Sequence, residues 1–315
     1  MLAASAHLTE RDRYLVRMVG EQRVLTTGQL CALGFGNVTT ARHRLAVLAR
    51  LGVLRRFRPH REQGSAPWHY LLGPVGAVLL GAEDRDARGW APRVRADRQL
   101  ALERSQRLSH LIGVNWFFVA LAACARAGGE LRMWLAEAEA AAYHDQFVPA
   151  LSRGQGPRPD GLGSWAEDGR EVTFFLEHDT GTEHLPRLEA KLPGYARLAE
   201  ALAQYGRACP VLLFAFPGPR REQSARAVLG SSADAPALRI ATTAADPRLT
   251  CPAGPVWLPL AGTGAGQLRL IDLERALPDP WQLARQQAER ELAARRTAQH
   301  VSQDFDLLDD DLFEQ

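Results

Sequence analysis

The stretch Phe174–Leu198 reads FFLEHDTGTEHLPRLEAKLPGYARL and indicates how the second half of the chain folds. An apolar run ends in two acids, Glu177 and Asp179, and a helical pattern follows. Because side chains alternate between the faces of a strand, the two acids share one face and His178 lies on the other. The helical pattern contains Lys191, the only lysine among the 38 lysine and arginine residues. The stretch therefore predicts a strand that ends in an acidic site, followed by a helix.

Strand and helix patterns alternate on both sides of this stretch. A Glu-Asp-Gly sequence at 167–169 is a hairpin signal that joins it to the preceding strand pattern. Alternation of this kind predicts a mixed sheet flanked by helices, an α+β or α/β fold class. The expected strands are 131–135, 159–166, 171–179, 211–216, 237–242 and 268–271; the expected helices lie within 97–127 and at 185–205, 221–229 and 281–299.

The first part of the chain shows three short helical patterns followed by two strand-like runs. Thr9 and either Thr26 or Thr27 are candidate N-caps of the first two helices. The order of these elements is that of a winged helix-turn-helix, whose third helix enters the major groove of DNA. The expected helices are 9–20, 26–33 and 38–52, and the expected strands are 53–59 and 68–72.

Charge supports a DNA-binding role for this part. Residues 1–72 contain eleven arginines and four acids, a balance that suits a polyanion. A helical bundle with a solvated basic face is the alternative interpretation of the same pattern. The predicted DNA contacts from the third helix are Thr39, Thr40, Arg42, His43 and Arg44, and those from the hairpin are Arg55, Arg56, Arg58 and Arg61.

Composition excludes several other classes of protein. The chain has no run of 18 apolar residues and no basic segment followed by an apolar core at its start, so we expect neither a membrane span nor a secretory signal. The four cysteines lack CxxC spacing, which argues against a zinc knuckle and against a disulfide framework. We therefore expect a cytoplasmic protein.

These patterns predict five segments. The segment at the end, DFDLLDDDLFEQ, carries six acids and no base and suits either docking onto a replication or transfer protein or simple solubilisation. A homodimer is a further expected assembly. The predicted segments are a winged helix-turn-helix at 1–82, a linker at 83–96, an α/β domain at 97–278, a helix at 279–303 and an acidic tail at 304–315.

A third acid, Asp160, follows Pro159 on the preceding strand pattern. A hairpin would bring Asp160 next to Glu177, so Asp160, Glu177 and Asp179 are candidate ligands for one Mg²⁺ or Mn²⁺ ion, which prefers carboxylate oxygens. Pro-Asp followed by Glu-x-Asp resembles the motif of the PD-(D/E)XK nuclease superfamily. That resemblance implies metal binding by Asp160 and Glu177, but the position of the motif lysine holds Asp179. Some members carry the lysine on the following helix, where this chain has Lys191.

A second resemblance covers most of the chain. The winged helix at the front, together with the sequences RPD (158–160), LEHDTGTE (176–183) and KLPGYARL (191–198), is similar to the replication-relaxation family. That resemblance implies a role in the replication and DNA relaxation of plasmids and mobile elements.

Each candidate has a structural alternative. Asp160 could begin a turn with Gly161, and Asp179 could cap the turn at 180–182. Lys191 could be an ordinary surface lysine. Tyr195 shares its helix face and could serve as a nucleophile, although packing is the favoured role because Pro193 and Gly194 interrupt the helix. A zinc site of His178, His184 and His144-Asp145 is disfavoured, as is a ligand role for His110.

Two functions follow from these residues. The first is a DNA-binding, metal-dependent nuclease that nicks DNA at a site chosen by the winged helix, with Asp160, Glu177 and Asp179 as metal ligands and Lys191 as the cation that acts on phosphate or water. The second is a DNA-binding regulator whose nuclease-like domain serves only as a dimerisation or protein-binding platform.

Overall fold

Two sheets organise the chain. A computed structural model describes residues 8–60, 64–87, 102–103, 105, 107–145, 156–261 and 266–294. The first sheet has three strands and belongs to the N-terminal part; the second has six strands and forms the centre of the rest. The predicted mixed α/β architecture, with helices around a mixed sheet, is confirmed.

The N-terminal part begins each of its first three helices with a side-chain cap. Thr9 and Thr26 each accept from the backbone three residues ahead, and Asp12 and Gln29 bond back to the cap residue. Asn37 accepts from the Thr40 backbone at 2.8 Å. The elements are α1 (Glu10–Gln22), β1 (Leu25–Thr26), α2 (Thr27–Gly34), α3 (Val38–Arg50), β2 (Leu54–Phe57) and β3 (His69–Leu72).

The strands β2 and β3 form the expected hairpin, and the short strand β1, which the sequence did not indicate, adds to the far side of β3. A tight turn then leads into helix α4 (Pro74–Ala87). A Cβ atom at Gly73 in this turn would lie 2.2 Å from the carbonyl oxygen of Gly52, so only glycine fits there. Helix α4 extends past residue 83, where the sequence predicted a linker.

The six-stranded sheet combines antiparallel and parallel pairs. Its order is β4 (Gly129–Ala136), β5 (Gly161–Glu167), β6 (Arg170–His178), β7 (Val211–Ala215), β8 (Ile240–Thr243) and β9 (Leu258–Pro259). Strands β4, β5 and β6 run antiparallel, β6, β7 and β8 run parallel, and β9 is antiparallel to β8. Asp168 and Gly169, both with positive φ, make the predicted turn between β5 and β6.

Helices cover both faces of this sheet. On one face α5 (Leu108–Cys124) packs Phe117 and Phe118 against Phe174 and Leu176 of β6. On the other face, the residues of β6 and β7 share a core with helices α8 and α9. The remaining helices are α6 (Glu137–Asp145), α7 (Leu185–Glu189), α8 (Leu192–Gln204), α9 (Pro219–Ser231), α10 (Leu273–Ala276) and α11 (280–294).

Helix α5 is apolar on all sides because it packs against both parts of the molecule. Val119 joins the N-terminal core, while Phe118 belongs to the core of the six-stranded sheet. The buried side chain of Asn115 donates hydrogen bonds to the carbonyl oxygens of Gln22 and Val24, at 3.2 and 2.7 Å. These contacts fix the position of the N-terminal part against the sheet. Within the part of the chain that the structure describes, neither α5 nor any other helix is long and apolar enough to cross a membrane.

A disulfide bond corrects one expectation. Cys124 at the end of α5 is bonded to Cys251, 127 residues away in the sequence. Spacing rules detect only cysteines that are close along the chain, and this pair meets only because the chain returns to α5 after β8. Cys31 and Cys209 are free thiols. The acidic tail at 304–315 lies outside the described residues.

Candidate functional site

Strand register brings the first two predicted site residues together. Gly161 pairs with Leu176, and the Asp160 N–H donates to the carbonyl oxygen of Leu176 at 2.9 Å. Asp160 therefore lies beside Glu177 at the end of β6, as the predicted hairpin required. Because β6 runs parallel to β7 and β8, this is the edge at which the carboxyl ends of all three strands meet.

Glu177 is 2% exposed and binds two side chains from the following helices. Its carboxylate accepts from the Lys191 ammonium at 2.7 Å and from the Tyr195 hydroxyl at 2.5 Å. Pro193 lies in the first turn of α8, where a missing N–H is tolerated, so it does not separate Lys191 from Tyr195 as the sequence suggested. The Lys191 ammonium also lies 3.6 Å from Glu183.

Burial and charge give this group unusual proton affinities. Burial, and then the charge of Asp160, raise the pKa of Glu177 to about 7 despite its bonds to Lys191 and Tyr195. Burial opposes the charge on Lys191, but the charge and hydrogen bond of Glu177 outweigh it and raise the lysine pKa. Burial, followed by the charge of Glu177, raises the pKa of Tyr195 well above its ordinary value. Lys191 therefore stays cationic, and Tyr195 stays protonated.

His110 completes the site from helix α5. Its Nε2 lies 2.9 Å from one oxygen of Asp160, and the backbone N–H of His178 donates to the other oxygen at 2.7 Å. Burial alone would raise the pKa of Asp160, but the hydrogen bond and charge of His110 outweigh it and lower the pKa. Burial opposes the charge on His110 too, yet its bond to Asp160 raises the imidazole pKa. This pair could not be predicted from local patterns, because the two residues are 50 positions apart in the sequence.

Asp179 has different partners. It is 3% exposed, and its carboxylate accepts from Arg221 Nε of α9 at 2.5 Å and from the Gly181 N–H at 2.8 Å. Arg221 also donates to the carbonyl oxygen of Glu183. The contacts of Asp179 are those of the turn-capping alternative, reinforced by an arginine that the sequence did not connect with this site. The hydroxyl groups of Thr180 and Thr182 bond to each other in the same turn.

The oxygens of the three acids already have partners within the protein. Each of the six carboxylate oxygens of Asp160, Glu177 and Asp179 accepts a hydrogen bond or contacts a base of the protein. Among the described residues, no three His, Cys, Asp or Glu side chains are grouped to hold a metal ion, which also leaves the zinc alternative with His178 and His184 unsupported. The side chains of His144 and Asp145 lie outside the description.

Lys191 and His110 are groups of this site that reach solvent and can act on a bound molecule. The Lys191 side chain is 32% exposed, so its ammonium can contact a phosphate oxygen from solvent while bound to Glu177. His110, 34% exposed, has an imidazole held by Asp160 and can exchange a proton with a bound molecule. The buried Tyr195 hydroxyl orients Glu177, which is the contact expected of a positioning residue.

The predicted DNA-contact residues separate into two groups. Thr39, Thr40, Arg42 and His43 are exposed along the first turns of α3. Arg44 instead points toward α1, where Nε and a terminal nitrogen contact the buried carboxylate of Asp12 at 3.0 and 2.5 Å.

The hairpin arginines also differ among themselves. The guanidinium groups of Arg56 and Arg58 lie 4.3 and 4.2 Å from the ring centre of Trp68, and both side chains are exposed. Arg55 is bonded to Glu103 at 2.8 Å. Arg61 lies outside the described residues.

The fold and site define a mixed α/β protein with an N-terminal helical unit and a polar centre at the edge of its large sheet. The replication-relaxation family matches residues 16–211, more than half of the chain, so the chain belongs to that family. The matched region runs from α1 to the start of β7 and includes Asp160, Glu177 and Lys191. Membership indicates a role in the replication or transfer of plasmids and mobile elements. Neither the curated proteins nor the solved structures contain a match.

Proposed function

We propose that this protein binds double-stranded DNA of a plasmid or integrative element through an N-terminal winged helix-turn-helix. The order α1, β1, α2, α3, β2, β3 is the one expected for that motif, with α3 as the recognition helix. The observation that carries the proposal is the exposed row Thr39, Thr40, Arg42 and His43 at the N-terminal end of α3. Side chains at this end of a recognition helix reach base edges and phosphates in the major groove.

The hairpin extends the proposed contact. The guanidinium groups of Arg56 and Arg58 both lie over the ring of Trp68, which holds them in place without neutralising them. Cations held in this way suit phosphates beside the groove. Arg44 and Arg55 are excluded from the proposed contact surface because each is bonded to an acid of the protein.

We further propose that the group Asp160, Glu177, Lys191 and His110 processes DNA, with Lys191 as the cation that contacts the phosphate. In support, the lysine that is missing two positions after Glu177 is replaced in space by one from the following helix junction, bonded to Glu177 at 2.7 Å. Asp179 and Tyr195, which the sequence included among catalytic residues, hold the turn and the carboxylate in place. No step is assigned to Mg²⁺ or Mn²⁺, because the contacts that define this group are all within the protein.

Nicking of a supercoiled plasmid tests this part of the proposal. The plasmid carries the cognate origin and is incubated with the full chain, in parallel with Mg²⁺, with Mn²⁺ and with a chelator. Wild-type protein should produce relaxed circles, and Lys191→Ala and Glu177→Gln should not. Arg187→Ala, which removes an exposed cation from the neighbouring α7, is the matched control and should nick like wild type.

A non-catalytic regulator is the second candidate, and one observation favours it. Every carboxylate oxygen of the three acids is occupied by a protein group, which is the pattern of a structural network. In that case the protein would bind the origin but release no relaxed circle under any of the three conditions. The large sheet and α11 would then serve as the platform for a second copy or for a replication protein.

A further inference from the structure

A large cleft separates the N-terminal part from the edge of the six-stranded sheet. Its volume is about 1050 Å³, and its lining comes from the β2–β3 hairpin, from α5 and from the segments that follow β6, β7 and β8. The carboxyl ends of parallel strands, especially at an interface between two parts of a fold, are the usual place for a ligand in α/β proteins. The cleft therefore lies where a ligand is expected to bind.

Aromatic rings line much of the cleft. Trp116, half-buried, comes from α5, and Phe216 follows β7. Phe117 and Trp257 lie deeper in the wall, and His60 contributes from the exposed hairpin. Phe117, Phe216 and Trp257 are buried, so their rings pack against the protein. Trp116 and His60 keep exposed surface and can offer a stacking face to a planar heterocycle such as a nucleobase.

The acids along the cleft do not make it electronegative. Glu103, Asp179 and Asp246 line it, and each is bonded to an arginine: Arg55 at 2.8 Å, Arg221 at 2.5 Å and Arg248 at 2.6 Å, respectively. Just outside the cleft, the hairpin carries Arg56 and Arg58 on Trp68. A polyanionic strand could therefore enter without meeting an uncompensated carboxylate.

The floor of the cleft has an unsatisfied polar group. His178 lines the cleft beside Gly113, where a Cβ atom would lie 2.1 Å from the imidazole Nε2, so the close approach requires glycine. The other ring nitrogen, Nδ1, is buried and has no hydrogen-bond partner. A buried polar atom without a partner is destabilising, which marks this part of the cleft wall as polar and unsatisfied.

We propose that this cleft binds a short single-stranded segment of DNA, with a base stacked on the ring of Trp116. The inference rests on the proposed DNA-binding function and adds a second, strand-specific site to it. Pockets of about 300–1,000 Å³ hold one drug-sized ligand, so a cleft at the upper end of that range admits a few nucleotides of one strand and excludes a duplex. Stacking of this type tolerates any base sequence, because every base has a flat aromatic face.

The cleft connects the two proposed DNA sites. One end is formed by the β2–β3 hairpin next to Trp68, and the other reaches Ser109 and His178, the sequence neighbours of His110 and Glu177. The outer wall includes Thr250 and Pro252, on either side of Cys251, so the disulfide to Cys124 anchors this wall to α5.

A fluorescence experiment tests the cleft directly. A short oligonucleotide containing 2-aminopurine is titrated with the full chain, and a labelled duplex is titrated in parallel by anisotropy at the same salt concentration. Ala244→Trp, which fills the cleft at a half-buried position of its lining, should weaken single-strand binding at least tenfold and leave duplex affinity unchanged. The matched control is Ala227→Trp, at an exposed position of α9 outside the cleft. Both variants are checked for wild-type thermal unfolding, and Trp116→Leu, which removes the stacking surface without filling the cleft, provides a second test.

The outcomes separate this inference from the proposed function. Wild-type protein that binds the duplex but does not change 2-aminopurine fluorescence would overturn the cleft inference and leave the winged helix standing. Single-strand binding that both cleft variants retain would also overturn it, because the strand would lie elsewhere. Loss of duplex binding in Arg42→Ala, with the single-strand signal intact, supports both sites as separate surfaces.

Discussion

Each half of the molecule contains a buried carboxylate bonded to a base, and the two pairs differ in their surroundings. In the N-terminal part, Asp12 is fully buried and receives Arg44 as well as the N–H and hydroxyl of Thr9. In the large sheet, Glu177 is equally buried and receives Lys191 and Tyr195, but a second acid, Asp160, lies beside it.

This difference determines the proton affinity of each acid. Burial alone would raise the pKa of Asp12, but the hydrogen bonds of Arg44 and Thr9 outweigh it and lower the pKa. The pKa of Glu177 is raised to about 7, because the charge of Asp160 adds to the effect of burial. The N-terminal pair is therefore arranged for stability. The pair in the sheet keeps two acids together at an energetic cost, an arrangement that is typical of functional sites.

The largest expected effect is on the stability of the N-terminal part. Asp12→Ala leaves the Arg44 guanidinium without its buried partner and removes one half of the capping box of α1. We expect the free energy of unfolding to fall by about 3 kcal/mol, measured by urea denaturation. Glu10→Ala, an exposed acid in the same first turn, should cost less than about 1 kcal/mol. Equal losses of unfolding free energy in the two variants would show that the buried pair of Asp12 and Arg44 does not stabilise this part of the chain.

The second prediction is that the two acids respond to pH with opposite signs. Glu177 has a pKa of about 7 in the folded chain and an ordinary value of 4.5, so between these pH values the folded state holds the extra proton and stability falls as pH rises. Asp12, with a lowered pKa, contributes stability above its ordinary value of 3.8 and loses it as pH falls through the folded value.

The free energy of unfolding, measured from pH 4.5 to 7.5 in wild type and in Glu177→Gln, checks the sign predicted for Glu177. The wild type should lose up to about 3 kcal/mol relative to the variant across that window, since one pKa unit corresponds to about 1.4 kcal/mol. Asp12→Ala should keep the wild-type slope in this range, because Asp12 titrates below it. If unfolding free energy falls with pH as steeply in Glu177→Gln as in wild type, another group causes the pH dependence.

The smallest expected effect concerns DNA binding by α3. Arg42→Ala should weaken binding to the duplex by roughly fivefold to tenfold and lower the salt dependence by about one phosphate contact. Arg44→Ala should mainly reduce stability, since its guanidinium is bonded to Asp12. Affinity and salt slope are measured by anisotropy at several salt concentrations. A larger change of salt slope for Arg44→Ala than for Arg42→Ala would reverse the assignment of these two side chains.

Local signals in the sequence predicted a large part of the fold. Thr9 was recognisable as an N-cap, and Thr26 was one of two candidates for the next cap. The Asp168-Gly169 turn set the β5–β6 hairpin and with it the placement of Asp160 beside Glu177. These predictions succeed because a cap or a two-residue turn is formed by residues that are close in the sequence. The linker predicted at 83–96 does not begin at residue 83, because α4 continues to Ala87, and the rest of that segment lies outside the described residues.

The partners of the charged side chains could not be predicted in this way. The pairs Arg44–Asp12, Arg221–Asp179 and His110–Asp160, and the disulfide between Cys124 and Cys251, all join residues that are far apart along the chain. A sequence shows which side chains can form ion pairs, but packing decides which of them are buried together.

The uniqueness of Lys191 was visible in the sequence, as was the likeness of its surroundings to a nuclease motif. Two contacts of the site could not be predicted from the sequence. Lys191 binds Glu177 from the junction of α7 and α8, and the carboxylate of Asp179 is bonded to Arg221. The cleft beside this site exists only because α5 packs against both sheets at once. Local periodicity sets the elements of this protein, while contacts between distant segments set the charges and the space around its candidate site.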